Sequence, residues 1–264
     1  MKQQPSLSTD SSLAAVLHAL DQLTETRLVW RDGLFHPGGP HRRLKGEVYP
    51  ISIGEDECRA FGTLIRGLKP EYCFIIGNAF GLSSAYIAHV MQRHGGKSVV
   101  TLDDQSEGNG QRCASIAQGL TERLKLDGFL VNKKGRSPEH TKQAAGERIY
   151  DVIFIDGLHR HPQVTLDFEG VQALADKRTT FVWHDGWIRG VPESVEAAKA
   201  QGVNVLWLPT SCEMILGTRS PERFEQLREM FPEGEIEHRH PPYVLGVLQA
   251  LKAEISIRLA RIGE

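Results

Sequence analysis

Cysteine is scarce and scattered: Cys58, Cys73, Cys113 and Cys212 form no C-x-x-C pair. Cys73 and Cys212 stand inside apolar, strand-like runs. The spacing argues against a disulfide framework or a cysteine zinc site and favours free buried thiols of a cytoplasmic protein. An excess of one charge is missing too. The 31 basic and 33 acidic residues leave a formal net charge of -2, so no electrostatic case exists for nucleic acid. The short Lys133-Lys134-Gly135-Arg136 and His41-Arg42-Arg43 clusters read as solvated surface. No window approaches the roughly 18 apolar residues of a membrane span, and Met1 to Asp10 lack the apolar core of a signal peptide. Neither a G-x-G-x-x-G fingerprint nor a G-x-x-x-x-G-K-[ST] phosphate loop occurs.

What the chain does have is an alternation of short apolar runs and helical patterns. Its 264 residues, 40% of them hydrophobic and 24% charged, suit an ordinary soluble globule with a full core. Ser11 or Ser12 can cap a helix with Leu13, Val16, Leu17, Leu20 and Leu23 on one stripe. Arg31 to Pro50 is rich in Gly and Pro and reads as loop, and Glu55 to Leu68 as a second helix. From Tyr72 onward the expected strands are Tyr72–Ile76, Ser98–Leu102, Phe129–Asn132, Asp151–Ile155, Thr179–Trp183, Val203–Leu208 and Glu213–Leu216. Helices fall at Ser84–Gln92, Gly110–Leu124, Thr165–Ala175, Glu193–Gln201 and Glu222–Met230. This predicts an α/β fold, a doubly wound and mostly parallel seven-stranded sheet, Rossmann-like, with an antiparallel last strand. The last two strands are too close in sequence for a crossover helix and form a hairpin at an edge. Residues 1–71 read as an N-terminal helical cap, 72–220 as the core and 221–264 as a C-terminal helical extension. A final helix from about Tyr243 carries one apolar stripe, which either packs on its own sheet or meets a second copy in a homodimer.

Polar residues at strand ends carry the chemistry, because ligands of such sheets gather at the carboxyl ends of the strands. The run Cys73 to Ile76 ends in Gly77-Asn78-Ala79-Phe80-Gly81-Leu82-Ser83-Ser84, a tight loop opening a helix. Its glycines allow close backbone approach to a nucleotide-like ligand without a pyrophosphate, and the helix N-terminus offers free N–H groups. Ser83 and Ser84 are placed either as helix caps or as partners of a ligand carboxylate. Asp103 ends the next strand, 26 positions after Gly77, where a carboxylate can accept bonds from both ribose hydroxyls. Asp156 and His159 follow Ile153-Phe154-Ile155, and His184-Asp185 follows Phe181-Val182-Trp183. Such an end is an expensive place for polar groups unless they are used. Asp156, His184 and Asp185 together can form an oxygen and nitrogen site that suits a transition metal better than magnesium. His159 is suited to take a proton. His36, His41 and His161 read as surface rather than cavity. Trp30, Phe35, Tyr49 and Trp187 are candidate cavity walls.

The stretch from about Ser52 to Leu216 resembles the class I S-adenosylmethionine-dependent methyltransferases. Within them it is similar to the branch related to catechol O-methyltransferase and antibiotic-pathway sugar O-methyltransferases. The matching pieces are IIGNAFGLSS, VVTLDD, DVIFIDGLH and FVWHDGW, in family order, plus the terminal hairpin. The resemblance implies S-adenosylmethionine as cofactor and a small-molecule acceptor. Gly77, Asn78 and Gly81 would flank the methionine part, Ser83 its carboxylate, Asp103 the ribose and Ser137 the adenine. Asp156 would be the first metal ligand and lie beside the cofactor, with His184 and Asp185 completing the metal site and His159 as base. Two departures stand out. Ile75 replaces the acid usually found two residues before the first glycine, and His184 puts a nitrogen where the family has oxygen, which favours a transition metal over Mg. Transfer to nitrogen, a nicotinamide-dependent oxidoreductase and a non-catalytic cofactor-binding protein are the rival readings.

Overall fold

A computed structural model describes residues 10–24, 28–30, 40–44, 47–50, 53–105, 110–188, 190–210 and 212–236. In chain order the elements are α1 (Ser11–Thr24), β1 (Leu28–Trp30), β2 (Pro40–Leu44), β3 (Glu47–Pro50), α2 (Glu55–Leu68), β4 (Tyr72–Ile76), α3 (Leu82–Arg93) and β5 (Ser98–Asp103). There follow α4 (Gly110–Arg123), β6 (Leu130–Lys134), α5 (Thr141–Ala145), β7 (Val152–Ile155), α6 (Gln163–Gly170) and a 3-10 turn at Gln172–Leu174. The last are β8 (Thr180–Trp183), α7 (Gly190–Ala200), β9 (Asn204–Trp207), β10 (Ile215–Thr218) and α8 (Pro221–Met230).

The main sheet has seven strands in the order β6-β5-β4-β7-β8-β10-β9. All neighbours are parallel except β10, which runs antiparallel to both β8 and β9. The expected hairpin therefore exists, with β9 as the edge. The strand order reverses between β4 and β7, so these two strands flank the switch point where such sheets open a crevice.

Why these short runs are strands is visible in which core each residue enters. Cys73, Ile75, Val152, Phe154 and Val182 point into one apolar cluster, lined by α1, α2, α3, α4 and α8. Phe74, Ile76, Ile153, Ile155, Phe181 and Trp183 point into the other, lined by α5, α6 and α7. The period-2 alternation is present, but both faces are apolar because both are covered. Ile75 is wholly buried in the first cluster, so the position holding an acid in the resembling family is packing here.

Some local expectations fail. Asp10, not Ser11 or Ser12, caps α1: its Oδ1 accepts from the N–H groups of Ser12 (2.8 Å) and Leu13 (3.3 Å). Its other oxygen accepts from the Tyr86 hydroxyl at 2.6 Å, which ties α1 to α3. The segment expected as loop between Arg31 and Pro50 contains β2 and β3, and with β1 they form a three-stranded antiparallel sheet. Cross-strand pairing outweighs the breaker residues around it. The expected final helix, Phe35 and His36 lie outside the described residues, and for Trp30, His41 and Tyr49 only the strand backbone is described. Cys58, Cys73 and Cys212 are buried free thiols, while Cys113 is half-buried. No helix among the described residues is long and apolar enough to cross a membrane.

Candidate active site

The glycine loop between β4 and α3 is built by close backbone approach. Gly77 has φ +86°, and a Cβ there would sit 2.0 Å from the Asp156 carbonyl oxygen at the end of β7. Gly81, at φ +85°, would meet Ala117 of α4 at 2.8 Å. Neither position tolerates a side chain. Gly81 is itself the N-cap of α3, without any side-chain cap. Ser83 and Ser84 are therefore in the first helical turn rather than caps. Both are buried, and Ser84 donates to the Gly81 carbonyl and to Asn78.

Asp103 does more than end its strand. Its Oδ2 accepts from the N–H groups of Asn78 (2.7 Å) and Ala79 (3.0 Å), and its Oδ1 from Gln105 N–H (2.6 Å). Beneath the loop runs a chain of neutral groups. Asn78 Nδ2 donates to Asn132 Oδ1 at 3.1 Å, Thr101 Oγ1 donates to the same oxygen at 3.1 Å, and Asn132 Nδ2 donates to Thr121 at 3.2 Å. With Ile75 apolar, Asp103 and this amide chain are what hold the loop. Thr101, Thr121 and Asn132 were not singled out from sequence. The available signal was an Asn inside a strand, where it is disfavoured.

Ser137 is buried next to α6, and its carbonyl accepts from Gln163 at 2.8 Å. Gln163 also donates to Asp167 at 2.7 Å. Asp167 is buried, which pushes its carboxyl up to about 6.

At the ends of β7 and β8 the site is ionic. His184 Nδ1 lies 3.0 Å from Asp156 Oδ1 and 3.2 Å from Asp185 Oδ2. His159 Nδ1 is 3.1 Å from Asp185 Oδ2, and its Nε2 is 3.5 Å from Asp156 Oδ1. Side-chain exposure rises outward, from 2% at His184 through 8% at Asp156 and 12% at Asp185 to 19% at His159. The structure thus brings together all four residues expected from sequence, and places His159 in the same cluster as the metal candidates. Asp185 adopts φ 56°, a left-handed conformation that costs a non-glycine residue energy and recurs at functional sites. Burial disfavours the charged imidazoles, but the carboxylates of Asp185 and Asp156 outweigh it and raise both His159 and His184. Burial likewise opposes ionisation of Asp156, yet His184 and His159 hold its carboxyl below the usual range.

On its other side His184 Nε2 lies 3.0 Å from Glu57 Oε2. Glu57, wholly buried in the first turn of α2, received no role from the sequence. The clue was its place four residues before Phe61 and seven before Leu64, on an otherwise apolar stripe. Cys212, expected as a plain core thiol, stands here too, with ligand atoms of Glu57, His184 and Cys212 all within 4.8 Å. His161 is exposed and pairs with Glu193 at 2.9 Å. Trp187 is half-buried.

The donor set passes a test for a divalent ion. Asp156, His159, His184 and Asp185 each offer a ligand atom, all within 4.8 Å of one another. His159 Nε2 and His184 Nδ1 are buried without an aligned hydrogen bond. Two carboxylates and two imidazoles suit a transition metal.

Residues 74–186 match a protein family described as a methyltransferase domain. The fold is shared with solved methyltransferases. An O-methyltransferase from Bacillus cereus in complex with S-adenosylhomocysteine is 18% identical, with a TM-score of 0.55, over 81% of this chain and 92% of that one. TomG, an O-methyltransferase of tomaymycin synthesis from Streptomyces achromogenes in complex with S-adenosylmethionine, is 15% identical, with a TM-score of 0.56, over 81% and 91%. A methyltransferase from Podospora anserina with bound S-adenosylhomocysteine is 11% identical, with a TM-score of 0.54, over 82% and 99%. A search of curated proteins returns no match. Residues 74–186 thus match a methyltransferase domain, and the fold is the one found in these solved methyltransferases, in line with the resemblance read from the sequence.

Proposed function

We infer that the protein transfers a methyl group from S-adenosylmethionine to a hydroxyl of a small molecule, with His159 as general base. The observation that carries this reading is the outward gradient of exposure, which leaves His159 at the mouth while the carboxylates behind it fix its ring. Gly77, Asn78 and Gly81 would line the methionine part of the cofactor, and Ser83 with the open N-terminus of α3 would receive its carboxylate. Asp103 would accept from the ribose. A carboxylate has about four acceptor sites, so its three backbone bonds leave room for one hydroxyl contact. Ser137 would sit by the adenine.

In the transfer the acceptor oxygen attacks the methyl carbon of the sulfonium in line. The carbon–sulfur bond breaks, a carbon–oxygen bond forms, and S-adenosylhomocysteine leaves with the electron pair on sulfur. The acceptor proton goes to His159. A divalent ion held by Asp156, His184 and Asp185 would lower the hydroxyl pKa. The chain's own task is alignment and proton removal.

Calorimetry with the purified protein tests the cofactor first. S-adenosylmethionine and S-adenosylhomocysteine should both bind, and nicotinamide dinucleotides should not. Labelled methyl should then appear on hydroxyl-bearing acceptors. Preference for nicotinamide dinucleotides would remove the reading, transfer to amines alone would move it to nitrogen, and binding without transfer to any acceptor would leave a non-catalytic protein.

A further inference from the structure

Glu57 is a carboxylate taken wholly out of water. Burying one without partners costs several kcal/mol, about enough to erase the stability of a marginal domain. Its partners come from three directions. Oε2 accepts from Gly54 N–H at 2.8 Å, so the side chain bends back over the start of its own helix. Oε1 accepts from the Thr210 hydroxyl and Cys212 N–H, each at 3.2 Å, in the turn between β9 and β10. What remains is Oε2 against His184 Nε2 at 3.0 Å, 127 residues away in sequence.

The consequence falls on the opposite edge of the ring. A carboxylate beside Nε2 demands a proton on Nε2. With Nε2 committed to Glu57, Nδ1 is the ring nitrogen that can give up its proton to a metal ion, and it is aimed between Asp156 Oδ1 and Asp185 Oδ2. Nδ1 is buried and makes no aligned hydrogen bond there. Two carboxylates closing on this nitrogen call for positive charge between them, which a ring proton supplies in the metal-free protein and a divalent ion can supply in its place. An outer carboxylate on the far nitrogen of a ligating histidine fixes its orientation and raises its donor strength.

We propose that Glu57 is a positioning residue that sets His184 as an Nδ1 ligand for one divalent transition-metal ion shared with Asp156 and Asp185. The inference rests on reading this cleft as the transfer site, but its test uses neither cofactor nor acceptor. A failed metal assignment is thus distinguishable from a failed methyltransferase assignment.

The full-length protein, stripped with a chelator, is titrated with Co2+ and followed by calorimetry and visible absorption. One ion per chain is expected, with a four- to six-coordinate cobalt spectrum. Glu57→Gln should weaken binding by about 10- to 100-fold and change that spectrum, because an amide NH2 facing Nε2 reverses the ring tautomer. Glu57→Asp, which keeps the charge but retracts it, should recover part of the affinity. Ring-nitrogen NMR of the metal-free protein should show His184 protonated at Nε2, and bound cadmium should couple to Nδ1. The NMR readout needs only the wild-type chain and stands even where the variants do not fold. Absence of Co2+ binding, coupling of cadmium to Nε2, or unchanged affinity and spectrum in folded Glu57→Gln would each overturn the proposal.

Discussion

The two halves of the cleft are made from different chemistry. On the β4–β5–β6 side, Asn78, Thr101, Thr121 and Asn132 hold the glycine loop through neutral bonds, with Asp103 accepting from the backbone N–H groups of Asn78, Ala79 and Gln105. On the β7–β8 side, Asp156, His159, His184, Asp185 and Glu57 form a buried ionic cluster. Neutral amides give a fixed shape whose hydrogen bonds do not change with pH. Ionic groups in a low dielectric interact over longer distances and respond to each proton gained or lost. The first half is suited to hold a molecule, the second to move protons, and substitutions should separate the two.

The largest separation is expected at His159. Replacing it by Ala should lower turnover by about 10²- to 10⁴-fold, while calorimetric affinity for S-adenosylhomocysteine stays near the wild-type value. Because Asp185 and Asp156 raise its pKa against the opposing effect of burial, wild-type turnover should climb with pH through a midpoint above 6.5, the ring's ordinary value. That limb should vanish in the variant. Equal loss of binding and turnover would join the halves again and deny His159 its role as base.

Gly77 is where the halves touch. Ala there must adopt a left-handed φ and push a methyl against the Asp156 carbonyl. Strain and overpacking together should cost about 3 kcal/mol of stability. Urea midpoints would show it, and both cofactor affinity and turnover should fall. Unchanged stability would mean that the β4 and β7 ends are free to spread apart.

These two residues were legible in the sequence because each stands at a strand end, where an apolar run abruptly turns polar or glycine-rich. The strands were legible for the same reason: two-sided burial makes each a short continuous apolar run. The partners were not. Glu57 lies 127 residues from His184, and no local pattern announces such a pairing. Asn132 sits in an edge strand whose burial fades from Leu130 to Lys134, so its amide looks like ordinary surface. Strands β2 and β3 were hidden by flanking Gly and Pro, since cross-strand pairing is set by register rather than by local propensity. Strand β10 begins at Ile215, two residues later than Glu213, because Glu213 takes a φ of 52°.

Asp167 tests how far the ionic half extends. Its carboxyl titrates at about 6 in the folded protein against 3.8 when unfolded, because burial disfavours the charge. The folded state therefore holds the proton more tightly. Stability from this group is fully present below pH 3.8 and is lost as pH rises through about 6. The loss at neutral pH amounts to up to about 3 kcal/mol. Asp167→Asn removes the titration, so its stability relative to wild type should grow by about 2 kcal/mol between pH 4 and pH 7. A difference that stays flat in urea melts at the two pH values would show that the carboxyl is ionised without cost.

Asn132 gives the smallest effect and the cleanest reading of the neutral half. Its amide satisfies Asn78 Nδ2 and Thr101 Oγ1 on one side and reaches Thr121 on the other. Ala would strand those partners in a buried place, at about 1–3 kcal/mol. Since Asn78 also carries one of the N–H groups fixed by Asp103, the slack passes straight into the loop. Affinity for S-adenosylmethionine should drop about 10-fold, the equivalent of about 1.4 kcal/mol. Turnover at saturating cofactor should stay unchanged, because no proton-carrying group has moved. Were kcat to fall with KM untouched, the amide chain would be acting on the ionic cluster, and the division between a holding half and a reacting half would have to be abandoned.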